Sequence, residues 1–274
     1  MRIVILAPSI YSETSCAMAA HLAASGHIPI GAIAVSSWDR ITLIRKLAQW
    51  GPKKFASYAR GKLISPNGVE SNIDNPHLAE FLRHRGSLFR NLRDVGMAYG
   101  FPVAVCANQN SPAAVSLLHQ WSPDLIVFTG GNILRQPVLD VPRLGVFNVH
   151  LAMLPEVRGM SAPEWSLLKG IPRGITIHFM DAGIDTGPVL QRFELRNAES
   201  CTSLLDLRNR LIALGVEKAA DVVSALRHGA ISAHQQSDLE KDNQHFVIHE
   251  WLQARASERL RSNHQPVLTE ALRG

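Results

Sequence analysis

Asn148 and His150 stand two residues apart on one apolar run, Val146 to His150. Side chains at i and i+2 of a strand leave on the same face, so an amide and an imidazole point together there. A second apolar run, Ile175 to Met180, leads into a stretch with two carboxylates, Asp181 and Asp185, where Gly183 and Gly187 argue for a loop and against a helix. An amide, an imidazole and a carboxylate that converge at strand ends can run an acyl transfer. The amide stabilises an oxyanion, the imidazole moves protons and the carboxylate orients the imidazole. Spacing alone does not choose between the two aspartates. A lone histidine in an apolar strand reads as a satisfied core residue. His150 is not alone: Asn148 shares its face, and the Leu154-Pro155 and Arg158-Gly159 breaks follow at once, which favours a catalytic role. His178 points into the same neighbourhood if its strand keeps period two, and it reads equally as support for the site or as packing.

These residues fall in three ordered blocks: Asn148-Val149-His150, then Leu154-Pro155 with Arg158-Gly159, then Asp185-Thr186-Gly187 after Thr176-Ile177-His178. Together they resemble the formyltransferase family that uses 10-formyltetrahydrofolate, which includes methionyl-tRNA formyltransferase, glycinamide ribonucleotide transformylase and the amino-sugar N-formyltransferases. The resemblance covers about Ser122 to Arg192. It implies that Asn148 donates to the formyl oxygen, that His150 carries protons, and that Asp185 pairs with His150 and raises its pKa. Asp181 then shapes its loop. The resemblance further implies a pterin pocket lined by Gly131, Asn132, Leu134, Leu139 and Val146, with backbone contacts from the loop of Met180, Asp181, Ala182 and Gly183. Taken singly, the two leucines and the valine are equally explained by core packing. A glycine pair beside a strand end allows the close approach that a flat ring requires. One departure is visible: Ala152-Met153 stands where a Ser-Leu pair is usual, which alters loop packing and not chemistry. The turn beside the site also leads us to expect a cis peptide at Leu154-Pro155, a form otherwise found in only ~5–6% of X–Pro bonds.

The elements that must position these groups follow from pattern. Arg2 to Ala7, Ile28 to Val35, Pro102 to Cys106, Leu125 to Thr129 and Gly145 to His150 read as buried strands, with Gly174 to Met180 and Pro188 to Glu194 after them. Ser12 caps a helix that stops at Gly26, Ser111-Pro112 opens another reaching Trp121, and Pro163 to Lys169 is closed by Gly170. Thr202-Ser203 with Asp206 caps a long amphipathic helix to about Arg227. Residues 36–100 read as mostly helical, with candidates at Ile41 to Trp50, Lys53 to Ala59, Pro76 to Leu82 and Leu88 to Met97. Alternating strands and helices predict an α/β fold, a doubly wound and mostly parallel sheet of Rossmann-like form, with its site at the carboxyl ends of strands. The expected division is a catalytic domain over 1–229 and a polar, helical C-terminal tail over 230–274, including a helix from His245 to Arg261.

Composition narrows the class. At 274 residues and 46% hydrophobic, the chain can bury a sizeable core. No apolar run approaches the ~18–20 residues of a membrane span, and MRIVILAPSI reads as a first strand and not a signal peptide. Cys16, Cys106 and Cys201 are scattered and odd in number, which argues against zinc, any other metal site and a disulfide framework, and suits a reducing cytoplasm. The net charge of +5 suits anionic small molecules as readily as nucleic acid. Seven Lys or Arg residues and no Asp or Glu lie between Arg40 and Lys62, either a solvated face or a patch for a phosphate-bearing acceptor. The first turn, Ala7 to Tyr11, lacks GxGxxG and any glycine-rich phosphate loop, which weighs against NAD and against glycinamide ribonucleotide. We therefore expect formyl transfer to the primary amine of a small acceptor, foremost a nucleotide-linked amino sugar, with an amino acid or siderophore precursor as runner-up. Barrel strands are not visible after Gly229, so tRNA is disfavoured. The same residues could instead hydrolyse 10-formyltetrahydrofolate, and a non-catalytic folate-binding module is the reading of another class. A homo-oligomer stays open.

Overall fold

The computed structural model describes residues 1–36, 48, 51–52, 75–83, 89–237 and 243–262. The basic stretch 40–62, and with it the helices expected at Ile41 to Trp50 and Lys53 to Ala59, lies outside the described residues apart from 48, 51 and 52.

Five strands build the parallel part of the main sheet: β1 (Ile3–Ala7), β2 (Gly31–Val35), β3 (Val103–Cys106), β4 (Leu125–Phe128) and β5 (Gly145–His150). Two more, β7 (Gly174–Phe179) and β8 (Val189–Glu194), extend it beyond β5. The order is β3-β2-β1-β4-β5-β7-β8, with β5–β7 and β7–β8 antiparallel and the other neighbours parallel. β1 is buried along its whole length, as expected of a parallel strand covered on both faces.

Helices cover both faces. α1 (Glu13–Ala24), α2 (Pro76–Arg83), α3 (Leu92–Tyr99) and the long α7 (Leu204–Arg227) pack on the side of Ile5, Val127 and Phe147. α4 (Pro112–Trp121) and the short α5 (Gln136–Leu139) pack on the side of Val4, Ile126 and Val146. Helix starts follow local chemistry: Ser12, Ser111 and Ser203 each accept a backbone N–H of the first turn through their hydroxyls.

Past β5 the chain makes a two-residue strand β6 (Arg158–Gly159) and helix α6 (Ala162–Lys169); at the far end come β9 (Gln244–His245) and α8 (Glu250–Ser262). α6 and α8 share an apolar cluster with β7 and the start of α7, through Leu167, Ala256, Leu260, Ile175 and Leu207.

Three boundaries differ from expectation. α3 begins at Leu92, where the Asn91 side chain caps it, and not at Leu88. β2 begins at Gly31 and not at Ile28, whose side chain is exposed. The last helix begins at Glu250, because Gln244 and His245 leave helical geometry to pair with β6. Among the described residues no helix is long and apolar enough to cross a membrane. The three cysteines are free and buried.

Candidate active site

The site is written across one antiparallel strand pair. In the β5–β7 register Asn148 lies opposite His178, and His150 opposite Thr176. Directly opposed residues of an antiparallel pair send their side chains to the same face, so period two on each strand collects all four polar groups together. Val146, two residues before Asn148, packs with Met180, two residues after His178, and this fixes which face it is.

Each member is held by specific partners. His178 Nδ1 lies 2.8 Å from the carbonyl oxygen of Phe179 and donates to it, which leaves Nε2 to accept from the amide of Asn148 at 3.1 Å. One of the two N–H bonds of that amide is thereby oriented, and the other is available to a ligand oxygen. Thr176 donates its hydroxyl to Ala152 O at 2.8 Å and accepts from Leu154 N at 3.0 Å. It thus pins the turn that carries the Leu154–Pro155 peptide, which is cis, as the sequence reading expects.

His150 is buried, with Nε2 2.8 Å from Val157 O and Nδ1 3.3 Å from Asp185 Oδ2. Both neighbours are acceptors, so only the protonated ring satisfies the two at once. Burial works against that charge and holds the pKa below the ordinary imidazole value, while Asp185 and the Val157 carbonyl oppose burial. The resemblance led us to expect a raised pKa. Asp185 does push in that direction, but burial outweighs it.

Asp185 sits at φ 53°, a left-handed conformation that is strained for a residue other than glycine. Burial pushes its carboxyl pKa up. The charge of His150, the His178 ring 3.6 Å away and the N–H of Gly159 at 2.9 Å outweigh burial and bring it down to about 2. Asp181 does something else: its Oδ1 accepts from the Thr186 hydroxyl at 2.6 Å and from Gly183 N at 3.0 Å, shaping the loop. The structure therefore brings Asn148, His150 and Asp185 together and leaves Asp181 outside the group. His178, left between two readings above, touches both Asn148 and Asp185, the latter at 3.6 Å from its Nε2.

The residues singled out for a pterin fall beside this row. Leu134 and Val146 are buried in one apolar cluster, against which Leu139 and Met180 pack, and Ala182 and Gly183 lie on the exposed loop that follows. Gly131 and Asn132 leave the end of β4 under the control of a residue that sequence reading missed. Gln109 is fully buried; its Nε2 donates to Gly130 O at 2.9 Å and Ala7 O at 3.3 Å, and its Oε1 accepts from Asn132 N at 3.0 Å. A Cβ on Gly131, at φ 133°, would run into the Gln109 amide. No local signal marks Gln109, because its partners lie in two distant loops. An apolar wall next to loop backbone fits a flat heteroaromatic ring with polar edges. Among the described residues no group of His, Cys, Asp and Glu could hold a metal ion.

Comparison with known proteins is consistent with this geometry. The family model described as "Formyl transferase" matches residues 91–235. The chain is 34% identical over 149 residues to a methionyl-tRNA formyltransferase of Pelobacter propionicus, a match that covers 54% of this chain and 46% of that protein. It thus spans about half the length of the curated relatives it matches. Among solved structures, glycinamide ribonucleotide transformylase 1 of Symbiobacterium toebii superimposes with a TM-score of 0.55 at 16% identity, covering 86% of this chain and 95% of that one. A sugar N-formyltransferase of Shewanella sp FDAARGOS_354 gives 0.54 at 15%, covering 95% and 87%. At such identities the two structures bear on the fold alone. The sequence match extends over more than half of the chain and includes Asn148, His150 and Asp185, and the protein belongs to the formyl transferase family.

Proposed function

We propose that this protein transfers a formyl group from 10-formyltetrahydrofolate to the primary amine of a small acceptor. The observation that carries the reading is the row of Asn148, His178 and His150 on one face of β5 and β7, which Asp185 meets from the loop after β7. The folate, held against Leu134, Leu139, Val146 and the 180–183 loop, supplies the formyl carbon. As the acceptor nitrogen bonds to that carbon, the free N–H of Asn148 meets the charge gathering on the formyl oxygen. The nitrogen must shed a proton, and His150, uncharged at neutral pH, accepts it. The imidazolium so formed faces Asp185 and the Val157 carbonyl, both already in place. Proton return to the departing folate nitrogen completes the transfer.

A nucleotide-linked amino sugar or amino acid is favoured over a tRNA because the stretch after Gly229 carries no barrel-strand pattern. The test is release of tetrahydrofolate with a panel of nucleotide-linked amino sugars, amino acids and methionyl-tRNA. Faster release with one small amine than with the buffer control supports the reading. Release independent of any amine would point to hydrolysis, and none at all to a folate-binding module. Release with methionyl-tRNA alone would move the acceptor to tRNA.

A further inference from the structure

The residues after Gly229 read in sequence as a polar tail, yet they touch both turns that the proposed chemistry depends on. At the first, Nε2 of Gln236 donates to the backbone oxygens of Asp185 at 2.9 Å and Gly187 at 2.7 Å. This amide therefore spans the one strained residue of the site. Beside it, His234 and Val189 exchange both backbone hydrogen bonds at 2.8 Å.

At the second, β9 pairs with β6, and Met160 N donates to His245 O at 3.0 Å. The approach is so close that a Cβ on Gly159, at φ 90°, would collide with the His245 carbonyl. The His245 ring stacks on Trp165 at 4.4 Å with 13° between planes, and Trp165 Nε1 donates to Phe246 O at 3.1 Å. Lys169 Nζ reaches both Asn243 Oδ1 at 2.9 Å and Glu156 O at 3.2 Å, and Ile248 N donates to Ser161 Oγ at 3.2 Å. The same turn, on its inner side, gives Val157 O to His150 and Gly159 N to Asp185.

We propose that Gln236 and the Trp165–His245 stack are positioning residues: the chain after Gly229 clamps the 185–187 loop and the 157–160 turn, and so sets the distance between His150 and Asp185. Neither clamp touches a reacting atom in the reading above, on which this inference rests for its catalytic consequence. The clamp acts through backbone. Gln236 fixes the carbonyls around Asp185, and β9 fixes β6, whose Gly159 amide meets Asp185 and which follows directly on the Val157 carbonyl that meets His150. The two turns are 25 or more residues apart in sequence, and residues 234–236 and 243–248 reach them from the same stretch of chain.

The test compares Gln236→Leu, Trp165→Ala and Trp165→Phe with the wild type. Three readouts are needed: thermal midpoint, turnover, and the pKa of His150 from imidazole NMR signals, which requires no acceptor. Gln236→Leu frees Asp185, the group that raises the pKa of His150, so that pKa falls by ~0.5 unit or more. Trp165→Ala loses turnover by about tenfold or more with the affinity for tetrahydrofolate kept within about threefold, and Trp165→Phe, which keeps a stacking ring, recovers most of it. A His150 pKa and a turnover unchanged in both Gln236→Leu and Trp165→Ala would overturn the proposal. So would losses that follow the thermal midpoint alone and leave the pKa in place. A shifted pKa in a protein that transfers no formyl group would uphold the clamp and sink the activity.

Discussion

The parallel half of the sheet and its antiparallel edge do different work with the same kind of strand. β1, β2 and β4 read IVILA, GAIAV and LIVF, without a polar side chain among them. β5 and β7 read GVFNVH and GITIHF, and place an amide, two imidazoles and a hydroxyl at buried or half-buried positions. Parallel neighbours run their carboxyl ends to one edge, where only loops can bring polar groups together. Reversing β7 sets the end of β5 beside the start of β7, so polar partners can face each other within the ladder itself. Reactive groups gain the rigidity of a sheet, which a loop does not give. A loop is still needed for the third participant: Asp185 enters from the loop after β7 in a strained conformation, and it needs Gly159 and Gln236 to hold it.

If that division is right, the largest effect of any single substitution falls on the edge pair. Asn148→Ala removes the oxyanion donor and should lower turnover by ~10²–10³ with tetrahydrofolate still bound. His150→Ala should lose at least ~10² through the missing proton carrier. Wild-type turnover in either variant, measured by folate release under saturation, would break the comparison at its centre.

A smaller loss tests whether the cross-strand partner acts through Asn148. His178→Ala leaves the amide without its acceptor and should cost about tenfold, less than losing the amide itself. In the double variant with Asn148→Ala the two losses should not multiply, because residues sharing one hydrogen-bond network are not additive. Losses that multiply would give His178 a task of its own, most directly through its 3.6 Å approach to Asp185.

How much of this was legible in the sequence follows the range of each interaction. The strands, the caps at Ser12, Ser111 and Ser203, and the shared face of Asn148 and His150 depend on neighbours within a few residues, and pattern finds them. The choice of Asp185 over Asp181 came from resemblance to a family, since both carboxylates sit in one loop with nothing local to separate them. Gln109, Gln236 and the Trp165–His245 stack were not legible: each joins segments that are from 20 to over 100 residues apart. The same is true of Arg208, whose guanidinium grips both oxygens of the buried Glu164 at 2.6 and 2.9 Å and ties α6 to α7. The start of β2 was misplaced because Ile28 is apolar but exposed, and the last helix because pairing with β6 overrides helical pattern at His245.

The pH dependence should separate the two regions next. Burial holds His150 below ~6.5, so the acidic limb of kcat/KM should fall below that value. Asp185→Asn removes the group that raises the pKa and should carry the limb lower still in whatever activity is left. Stability follows the same groups. Where the native pKa lies below the unfolded one, the unfolded chain binds more protons, and stability is lost as pH falls. For His150 this loss begins as pH drops through ~6.5. For Asp185 it runs from ~4 toward about 2. The thermal midpoint should therefore decline steadily from pH 7 to pH 3, and less steeply in a His150→Ala, Asp185→Ala double variant. A midpoint that rises on acidification would mean that the pair is not charged as described.

The smallest expected effect on turnover sharpens the contrast most. Ile5 lies in the middle of β1, fully buried, in register with Ala32 on one side and Val127 on the other. Ile5→Val deletes one methylene from that core without a polar or steric conflict, at ~0.5–1.5 kcal/mol of stability. For a chain of this size that is a fall of about 2–4 °C in the midpoint per kcal/mol. Turnover of the folded protein and its pH limb should be those of the wild type, because the bonds that hold Asn148, His150 and Asp185 come from β5 to β7 and from Gln236, and not from β1. Thr176→Val on β7 is the corresponding change in the antiparallel part of the sheet. It nearly keeps the volume, but it removes the hydroxyl that joins Ala152 O to Leu154 N and should lower turnover as well as stability. If Ile5→Val slowed turnover as much as Thr176→Val, core and site would be mechanically one. The sheet would then not be divided into a scaffold and a chemical edge.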